Sequence, residues 1–375
     1  MDKLYKNTIL LILHQLLIFY SMYILLNVYF LLAVKLNYKY RYRLYHNNQN
    51  IIIMPKKQNK VVQNDNITKP FLKWVGGKTQ ILPQVLDLFP TKIQNYYEPF
   101  LGGGSVLLGL LSYIKMGKIQ VTGTIFASDV NPIIIGLYQN IQLRVEELIT
   151  RVQELSIEYV NISGTEVNRT PTILVEAQTS PESYYYWIRS RFNALLPEDK
   201  CNVNGSAMIL FLNKTCFRGV YREGPRGFNV PFGHYKNTAT IIDPDHIRTV
   251  SELIRGVEFR VASFEQVFSE STFDQNTFDQ NDFMYLDPPY VPKTETSFVG
   301  YTADGFSGLQ HEYLFDECAK LSGKNVKFVL SNAHVPLVIS AFPVSLYTVN
   351  TISCRRAIHS KDPSSRTDEV LIANI

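Results

Sequence analysis

A carboxylate, two prolines and a tyrosine stand together at Asp287-Pro288-Pro289-Tyr290, directly after the apolar run Phe283 to Leu286. The run predicts a strand, and α/β sheets place their ligand crevices at the carboxyl ends of parallel strands. Asp287 and the backbone carbonyl of Pro288 can accept two hydrogen bonds, because the prolines stiffen this backbone and offer no competing N–H. Tyr290 offers a stacking face for a planar base, worth about 1–3 kcal/mol.

This combination suits the activation of an exocyclic amine. The lone pair of an adenine amine is delocalised into the ring, which makes the nitrogen a poor nucleophile. Two acceptors beside its N–H groups favour a pyramidal nitrogen whose lone pair points at a methyl donor. The segment from Asp287 to Tyr290 therefore indicates methyl transfer to an amino nitrogen, with an ordinary turn as the structural alternative.

Two glycines, Gly102 and Gly104, follow Phe100 at alternate positions. They lie between a predicted strand, from Asn95 to Phe100, and a predicted helix that begins at Ser105. Glycine lets a backbone turn sharply and approach a ligand closely, although such turns occur in many folds. The pattern marks a candidate binding site without identifying the ligand.

Asp129 ends the next predicted strand, Ile125 to Ser128. A carboxylate at this place can accept hydrogen bonds from both hydroxyls of a nucleoside ribose. The alternative is a helix cap, since Pro132 starts another predicted helix. Together with the glycine turn, Asp129 favours a nucleoside-containing cofactor.

Other chemistries fit less well. Gly76-Gly77-Lys78-Thr79 lacks the upstream glycine of an ATP phosphate loop, because Leu72 stands there. Methylation of cytosine C5 needs a thiolate, usually in a Pro-Cys pair, and none of the four cysteines follows a proline. The sequence contains no C-x-x-C pair that would suggest a zinc site, so we expect no metal. We also expect the cysteines to be reduced thiols in a cytosol-like compartment.

From Lys69 onward, short apolar runs alternate with longer helical patterns. This alternation predicts an α/β domain with a mostly parallel sheet, which must position the residues named above. One amphipathic helix is predicted over residues 81–89. The polar, aromatic-rich stretch 141–255 shows few strand signals and predicts a separate, largely helical insertion. Five strands are predicted after it: Val257 to Ala262, Phe283 to Leu286, Val326 to Leu330, Leu346 to Asn350 and Glu369 to Ala373.

Basic and aromatic side chains alternate within the insertion. The net charge of +4 is small, so the placement of charges must indicate any nucleic-acid partner. This mix suits phosphate contacts combined with base stacking or wedging, although a solvated basic loop is the alternative. The residues are Lys214, Arg218, Arg222 and Arg226, interleaved with Phe217, Tyr221 and Phe228.

From about Pro70 onward the chain resembles the Dam-type DNA N6-adenine methyltransferases, whose order is cofactor motif, target-recognition region, then DPPY. Six motifs carry the resemblance, namely FLKWVGGK (71–78), EPFLGGGS (98–105), SDVN (128–131), FRGVYREGPRGFNVPFG (217–233), LDPPY (286–290) and LSN (330–332). It implies a Rossmann-like, mixed seven-stranded S-adenosylmethionine-dependent methyltransferase fold with an inserted, mainly helical recognition domain. The implied substrates are S-adenosylmethionine and an adenine flipped out of duplex DNA.

The resemblance also implies roles for single residues. Four residues would contact the methyl donor, namely Trp74, Lys78, Asp129 and Asp287, with Trp74 placed against the adenine ring of the donor. The pocket around the donor would be shaped by Phe100, Gly102 and Gly104. Tyr221-Arg222 matches the place where relatives carry an arginine that reads a guanine, a contact that discriminates by about 1–3 kcal/mol. Independently of the resemblance, we expect Lys214 and Arg226 to contact phosphates and orient the duplex. Arg218 departs from the asparagine of many relatives, so no recognition sequence is assigned.

The predicted organisation has five segments: a hydrophobic leader (1–53), a polar basic linker (54–69), a first catalytic segment (70–140), the target-recognition domain (141–255) and a second catalytic segment (256–375). Thr8 to Val34 carries no charged side chain and is long enough to span a bilayer. Residues 1–53 could therefore form a membrane anchor, or translation could start at Met54. A membrane partner is expected only if residues 1–53 are part of the protein. Otherwise we expect a cytoplasmic or DNA-associated protein.

Two other functions stay open. A turn of this kind also serves N4-cytosine, RNA-adenine and protein-glutamine methylation, against which the recognition insertion argues. The chain could instead be a DNA-binding protein with a silent cofactor pocket, which the intact Phe100, Gly102, Asp129 and Asp287 disfavour. A restriction endonuclease acting on the same site is a candidate partner.

Overall fold

The computed structural model describes residues 67–235, 240–269, 278–292, 305–355 and 366–374. The predicted leader, with its apolar run from Thr8 to Val34, lies outside these residues. Within the described ranges, no helix is both long and apolar enough to cross a membrane.

Eleven strands occur in the described residues: β1 Lys92–Ile93, β2 Tyr96–Glu98, β3 Gln120–Val121, β4 Ile125–Asp129, β5 Glu223–Gly224, β6 Gly227–Phe228, β7 Val257–Val261, β8 Phe283–Leu286, β9 Lys327–Ala333, β10 Thr348–Arg355 and β11 Arg366–Ala373. Seven of them form one sheet in the order β10-β11-β9-β8-β2-β4-β7. The strands from β9 to β7 run parallel, whereas β11 is antiparallel to both β9 and β10. The mixed seven-stranded sheet that the resemblance implies is confirmed.

Twelve α-helices occur in the same residues: α1 Leu82–Leu86, α2 Ser105–Lys115, α3 Pro132–Leu143, α4 Val145–Val160, α5 Leu174–Ala177, α6 Pro181–Ala194, α7 Pro197–Lys200, α8 Val203–Thr215, α9 Pro244–Leu253, α10 Phe264–Phe268, α11 Gly308–Gly323 and α12 Pro336–Ala341. Short 3₁₀ turns occur at Lys78–Gln80 and Phe217–Gly219. Helices fill most of the region between β4 and β7, as its composition predicts.

The parallel strands bring the chemistry-bearing residues to one edge. In the parallel register, Glu98 at the end of β2 pairs with Ala127 of β4, and Asp129 pairs with Val261 of β7. β8 lies on the other side of β2 and ends at Leu286, one residue before Asp287. Since the carboxyl ends of these strands share one edge, the glycine turn, Asp129 and the Asp287 turn meet there.

The predicted helix over residues 81–89 is shorter than expected. It consists of a 3₁₀ turn, Lys78–Gln80, followed by the single helical stretch Leu82–Leu86. Phe89 precedes Pro90, and a residue before proline disfavours helical backbone, so the chain turns away at this point. The strands β1 and β3 were not predicted, because a two-residue strand has no periodicity to detect.

The middle region packs onto the helices α2 and α3. Buried side chains of α4, α6 and α8 belong to the same hydrophobic core as those of α2 and α3. Asn140 of α3 ties these regions together by donating to the carbonyl of Cys201 (2.7 Å) and to the hydroxyl of Ser206 (2.9 Å). The domain boundaries at 140 and 255 remain predictions.

Candidate active site

A cavity of about 350 Å³ opens at the carboxyl edge of the sheet. This volume falls in the range of sites for small molecules. Its lining brings together most residues selected from the sequence: Trp74, Lys78, Phe100, Gly102, Asp129, Asp287, Pro288, Pro289 and Tyr290. The two halves predicted separately, the glycine turn and the Asp287 turn, therefore face one space.

The glycine turn is built around the indole of Trp74. A Cβ atom at Gly102 would lie 2.5 Å from the indole nitrogen of Trp74, and a Cβ at Gly103 would lie 2.5 Å from its Cβ. Gly102 and Gly104 both have positive φ angles, 46° and 64°, which favour glycine. Gly104 does not line the cavity, because its own close neighbour is the buried Tyr138.

Asp129 holds the glycine turn in place. One carboxylate oxygen accepts a hydrogen bond from the backbone N–H of Gly102 (2.9 Å), and the other accepts from that of Asn131 (2.9 Å). Burial raises the pKa of Asp129, while these two hydrogen bonds oppose the rise. The cap of α3 is the side chain of Asn131, which accepts from Ile133 (3.0 Å), so Asp129 is not that cap.

A buried ion pair lies at the start of the Asp287 turn. The ammonium of Lys78 is 2.6 Å from Asp287 Oδ2 and also donates to the carbonyl of Gly76. The pKa of Asp287 is raised to about 6, mainly by burial; Lys78 opposes this rise and the carboxylate of Glu369 adds to it. Lys78 therefore favours the ionised form of Asp287, and this carboxylate is the side chain to which Lys78 is paired.

The rest of the turn is held from two neighbouring strands. The hydroxyl of Tyr290 donates to Glu369 Oε2 (3.0 Å), and the ammonium of Lys78 lies 5.1 Å from the centre of the tyrosine ring. The backbone N–H of Val291 donates to Asn332 Oδ1 (3.0 Å). Asn332 belongs to the motif LSN, for which the sequence indicated no role.

Glu98 is a second buried carboxyl group that lines the cavity, and sequence reasoning gave it no function. It accepts a hydrogen bond from the hydroxyl of Tyr96 (2.6 Å). Burial raises its pKa to about 8, with the hydrogen bond from Tyr96 opposing the shift and Asp287 adding to it. The only signal was its place at the end of β2, two residues before Phe100.

An aromatic wall at the end of β7 was also missed. The ring centre of Phe264 lies 5.4 Å from that of Phe100 and 5.3 Å from that of Phe306. Beside this wall, the amide of Gln310 donates to Glu265 Oε1 (3.1 Å), and both residues line the cavity. The available signal was that residues 263–265 directly follow a parallel strand, where a ligand crevice is expected.

The predicted DNA-contacting residues lie on and around the hairpin of β5 and β6. Arg222 and Arg226 are exposed, and the Nε of Arg222 donates to Asn229 Oδ1 (2.7 Å) across the hairpin. Arg218 is exposed with a positive φ of 57°, and its guanidinium lies over the ring of Phe217. These three arginines can reach a ligand from outside.

Tyr221 and Lys214 occupy different environments from the arginines. Tyr221 is buried, its ring centre lies 5.5 Å from that of Trp74, and its hydroxyl donates to Glu223 (2.7 Å). Lys214 is half-buried, and burial with the nearby Lys73 lowers its pKa to about 8. The hairpin is thus joined to the cavity wall through the contact between Tyr221 and Trp74.

No group of three or more His, Cys, Asp or Glu side chains in the described ranges is arranged to hold a metal ion.

Comparison with known proteins gives a family match over most of the chain. The family model for D12 class N6 adenine-specific DNA methyltransferases matches residues 74–353. The Type II methyltransferase M.MjaIII of Methanocaldococcus jannaschii is 34% identical over 274 residues, which cover 71% of this chain and 84% of the relative. The Type II methyltransferase M1.LlaDCHI of Lactococcus lactis subsp. cremoris is 29% identical over 311 residues, which cover 82% of this chain and 95% of the relative. The DNA adenine methylase of Haemophilus influenzae is 28% identical over 287 residues, which cover 75% of this chain and 84% of the relative.

Proposed function

The chain belongs to the D12 class N6 adenine-specific DNA methyltransferases, and we propose which residues bind the methyl donor, hold the adenine and contact the DNA. Its reaction is methylation of the N6 amine of adenine in DNA, and the family implies S-adenosylmethionine as the donor. The observation that carries the assignment of residues is a single cavity that joins the Gly102 turn and Asp129 to the Asp287 turn.

The cavity suits the donor in both shape and chemistry. Its volume of about 350 Å³ is that of a small-molecule site, and the absence of side chains at Gly102 and Gly103 lets the indole of Trp74 pack against the glycine turn at the cavity wall. Asp129 faces this space with a carboxylate that can accept from ribose hydroxyls. Two aromatic surfaces are available for the donor's adenine ring: Trp74, as predicted, and the wall of Phe100, Phe264 and Phe306.

When bound, the donor supplies an electrophilic methyl group on a sulfonium whose positive charge disappears during transfer. The residues of the chain have the task of presenting the acceptor nitrogen to it. Asp287 and the carbonyl of Pro288 accept from the N6 amine, so that the nitrogen becomes pyramidal, and Tyr290 stacks on the base. Lys78 keeps Asp287 ionised before the adenine arrives, which preserves its capacity to accept hydrogen bonds.

On the DNA side, we assign base reading to Arg222 and phosphate contacts to Lys214 and Arg226. The bond from Arg222 Nε to Asn229 fixes one edge of the guanidinium and leaves its terminal nitrogens for a base. Tyr221 is buried against Trp74, so we assign it a packing role between the hairpin and the cavity in place of DNA contact. Arg218 is the second candidate for base reading.

Two relatives carry the name Type II methyltransferase, which suggests a restriction-modification role for the present chain. A partner endonuclease would then cut the sequence that this enzyme protects. A recognition sequence is not assigned, because Arg218 departs from the asparagine of many relatives.

The function is tested by incubating the purified protein with S-adenosylmethionine and unmethylated duplex DNA. Nucleoside mass spectrometry is expected to show N6-methyladenine, and methylation-sensitive sequencing is expected to place it in one short sequence context. Formation of N4-methylcytosine, or donor binding with no methylated base, would contradict the proposal. Methylation of RNA or protein in preference to DNA would transfer the assignment to one of the alternative acceptors.

A further inference from the structure

The hydroxyl of Tyr290 is held by a side chain that lies far away in the sequence. It donates a hydrogen bond to Glu369 Oε2 at 3.0 Å. Glu369 belongs to β11, where it pairs with Ala333 of β9. β9 in turn pairs with β8, which leads into the Asp287 turn. The carboxylate therefore reaches the turn across one intervening strand, from a region of the sheet that carries none of the residues assigned above.

This contact fixes the orientation of the tyrosine ring. Tyr290 has two side-chain torsions, and a hydrogen bond at the hydroxyl restrains the far end of the ring. At the near end, the backbone beside Tyr290 is held by the bond from Val291 to Asn332. The ammonium of Lys78 lies over the ring, 5.1 Å from its centre. Since Lys78 lies over one face of the ring, we assign stacking of a planar base to the opposite face.

Glu369 is itself held in position. It lies in a regular antiparallel strand, paired with Ile352 of β10 on one side and with Ala333 on the other. The thiol of Cys354 also interacts with its carboxylate, and burial together with Glu369 raises the pKa of this thiol to about 11. A neutral thiol and a neutral phenol are both hydrogen-bond donors, so the carboxylate has two donors directed at it.

We propose that Glu369 is a positioning residue for methyl transfer, which acts by holding the ring of Tyr290 in the plane that the flipped adenine stacks on. This inference rests on the stacking role proposed for Tyr290. Glu369 is not a catalytic residue in this proposal, since its contact is with Tyr290. The competing explanation is that the bond only attaches β11 to the turn and contributes to folding stability.

The test compares Glu369→Gln, Glu369→Ala, Tyr290→Phe and the double variant Glu369→Ala with Tyr290→Phe. Glutamine keeps an acceptor oxygen, so Glu369→Gln should retain most of the activity. Each of the other single variants should lower kcat about tenfold, the effect of losing a hydrogen bond to a charged group, with donor affinity nearly unchanged. Because both remove the same bond, the double variant should be no slower than either single variant.

Base stacking provides a readout that folding stability does not move. In a duplex with 2-aminopurine at the mapped target adenine, the flipped base should fluoresce more strongly in complexes of Glu369→Ala and Tyr290→Phe than in the wild-type complex. The exposed Glu258 on β7 supplies matched controls, Glu258→Gln and Glu258→Ala, which should behave as wild type. Tyr290→Phe removes the bond without altering Glu369, so the test survives if Glu369→Ala fails to fold.

Wild-type kcat in both Glu369→Ala and Tyr290→Phe would overturn the inference, as would a double variant about a hundredfold slower, which is the additive result. Tyr290→Ala separates this failure from failure of the proposed function. If Tyr290→Ala is strongly impaired while the bond-removing variants are normal, Tyr290 stacks the base without help from Glu369. If Tyr290→Ala is also normal, the stacking role itself is wrong and the inference falls with it.

Discussion

Ionisable side chains have different environments in the cavity and on the hairpin of β5 and β6. In the cavity, Lys78 is only 3% exposed and paired with Asp287. Asp129 accepts two backbone hydrogen bonds, and Glu98 accepts one from a tyrosine. On the hairpin, Arg222 and Arg226 are exposed. The ionisable groups of the cavity are therefore paired within the protein, whereas both arginines are exposed to solvent, with Arg222 bonded to Asn229 through its Nε.

The difference agrees with the roles that we propose for the two regions. Stabilising a transition state needs dipoles and charges that are already oriented, because reorientation during the reaction would add to the barrier. Binding a DNA backbone needs cations that lose little hydration in the free protein and release counterions from the phosphates. Lys214 lies between these extremes, because its half-buried ammonium has a pKa lowered to about 8.

The largest effect on activity is expected from a substitution in the cavity. Asp287→Ala should lower kcat by about 10²- to 10³-fold, because it removes an acceptor that matters most in the transition state. Affinities for donor and DNA should stay within about tenfold of wild type. Single-turnover kinetics and calorimetry measure the two effects separately.

Asp287→Asn is the matched control, since the amide keeps an acceptor oxygen and loses the charge that pairs with Lys78. It should be less impaired than the alanine variant. Near-wild-type turnover of Asp287→Ala would remove Asp287 from the transition-state contacts.

At the exposed end, two arginines of one hairpin should give different signatures. Arg222→Ala should relax the preference at one position of the recognised sequence by about 1–3 kcal/mol. Arg226→Ala should weaken binding to all sequences alike and reduce the salt slope by about one. Methylation of randomised duplexes, sequenced in bulk, and binding titrations in salt distinguish these outcomes.

Each arginine variant serves as the control for the other, because both remove one exposed cation. If Arg222→Ala keeps the wild-type site preference and only works more slowly on every sequence, Arg222 is a backbone contact. The base reader would then be sought at Arg218.

The last prediction concerns folding stability, which should depend on pH because Glu98 is buried. Its pKa is raised from 4.5 to about 8, so between these pH values the folded state binds more protons than the unfolded state. Stability should therefore fall as pH rises through this window, by at most about 1.4 kcal/mol per pH unit. Glu98→Gln keeps an acceptor for Tyr96 but has no titrating group at this position. As pH rises from 5 to 8, the denaturation midpoint of wild type should therefore fall relative to that of Glu98→Gln.

Denaturant unfolding across this pH range tests the prediction, with the exposed Glu258→Gln as the control for removing a carboxylate. Parallel stability curves for Glu98→Gln and wild type would mean that burial does not shift the Glu98 carboxyl in the folded protein.

The sequence alone determined the elements on which the site is built. Phe283 to Leu286 was predicted as a strand and is observed with the same bounds, and the strand that ends at Asp129 and the helix that begins at Ser105 were also correct. These features depend on local patterns of apolar, glycine and proline residues, which a single sequence displays directly. The order of the six motifs was sufficient to indicate the family, which the family match supports.

Tertiary structure decided which side chains meet. Lys78 pairs with Asp287, 209 positions away, and Glu369 bonds to Tyr290, 79 positions away, and no local pattern specifies either pair. Tyr221 was expected at the DNA surface and is instead buried against Trp74. Partners of this kind and the pKa of a carboxyl such as Glu98 depend on desolvation and packing by distant segments. They become defined only when the sheet brings the ends of its strands together.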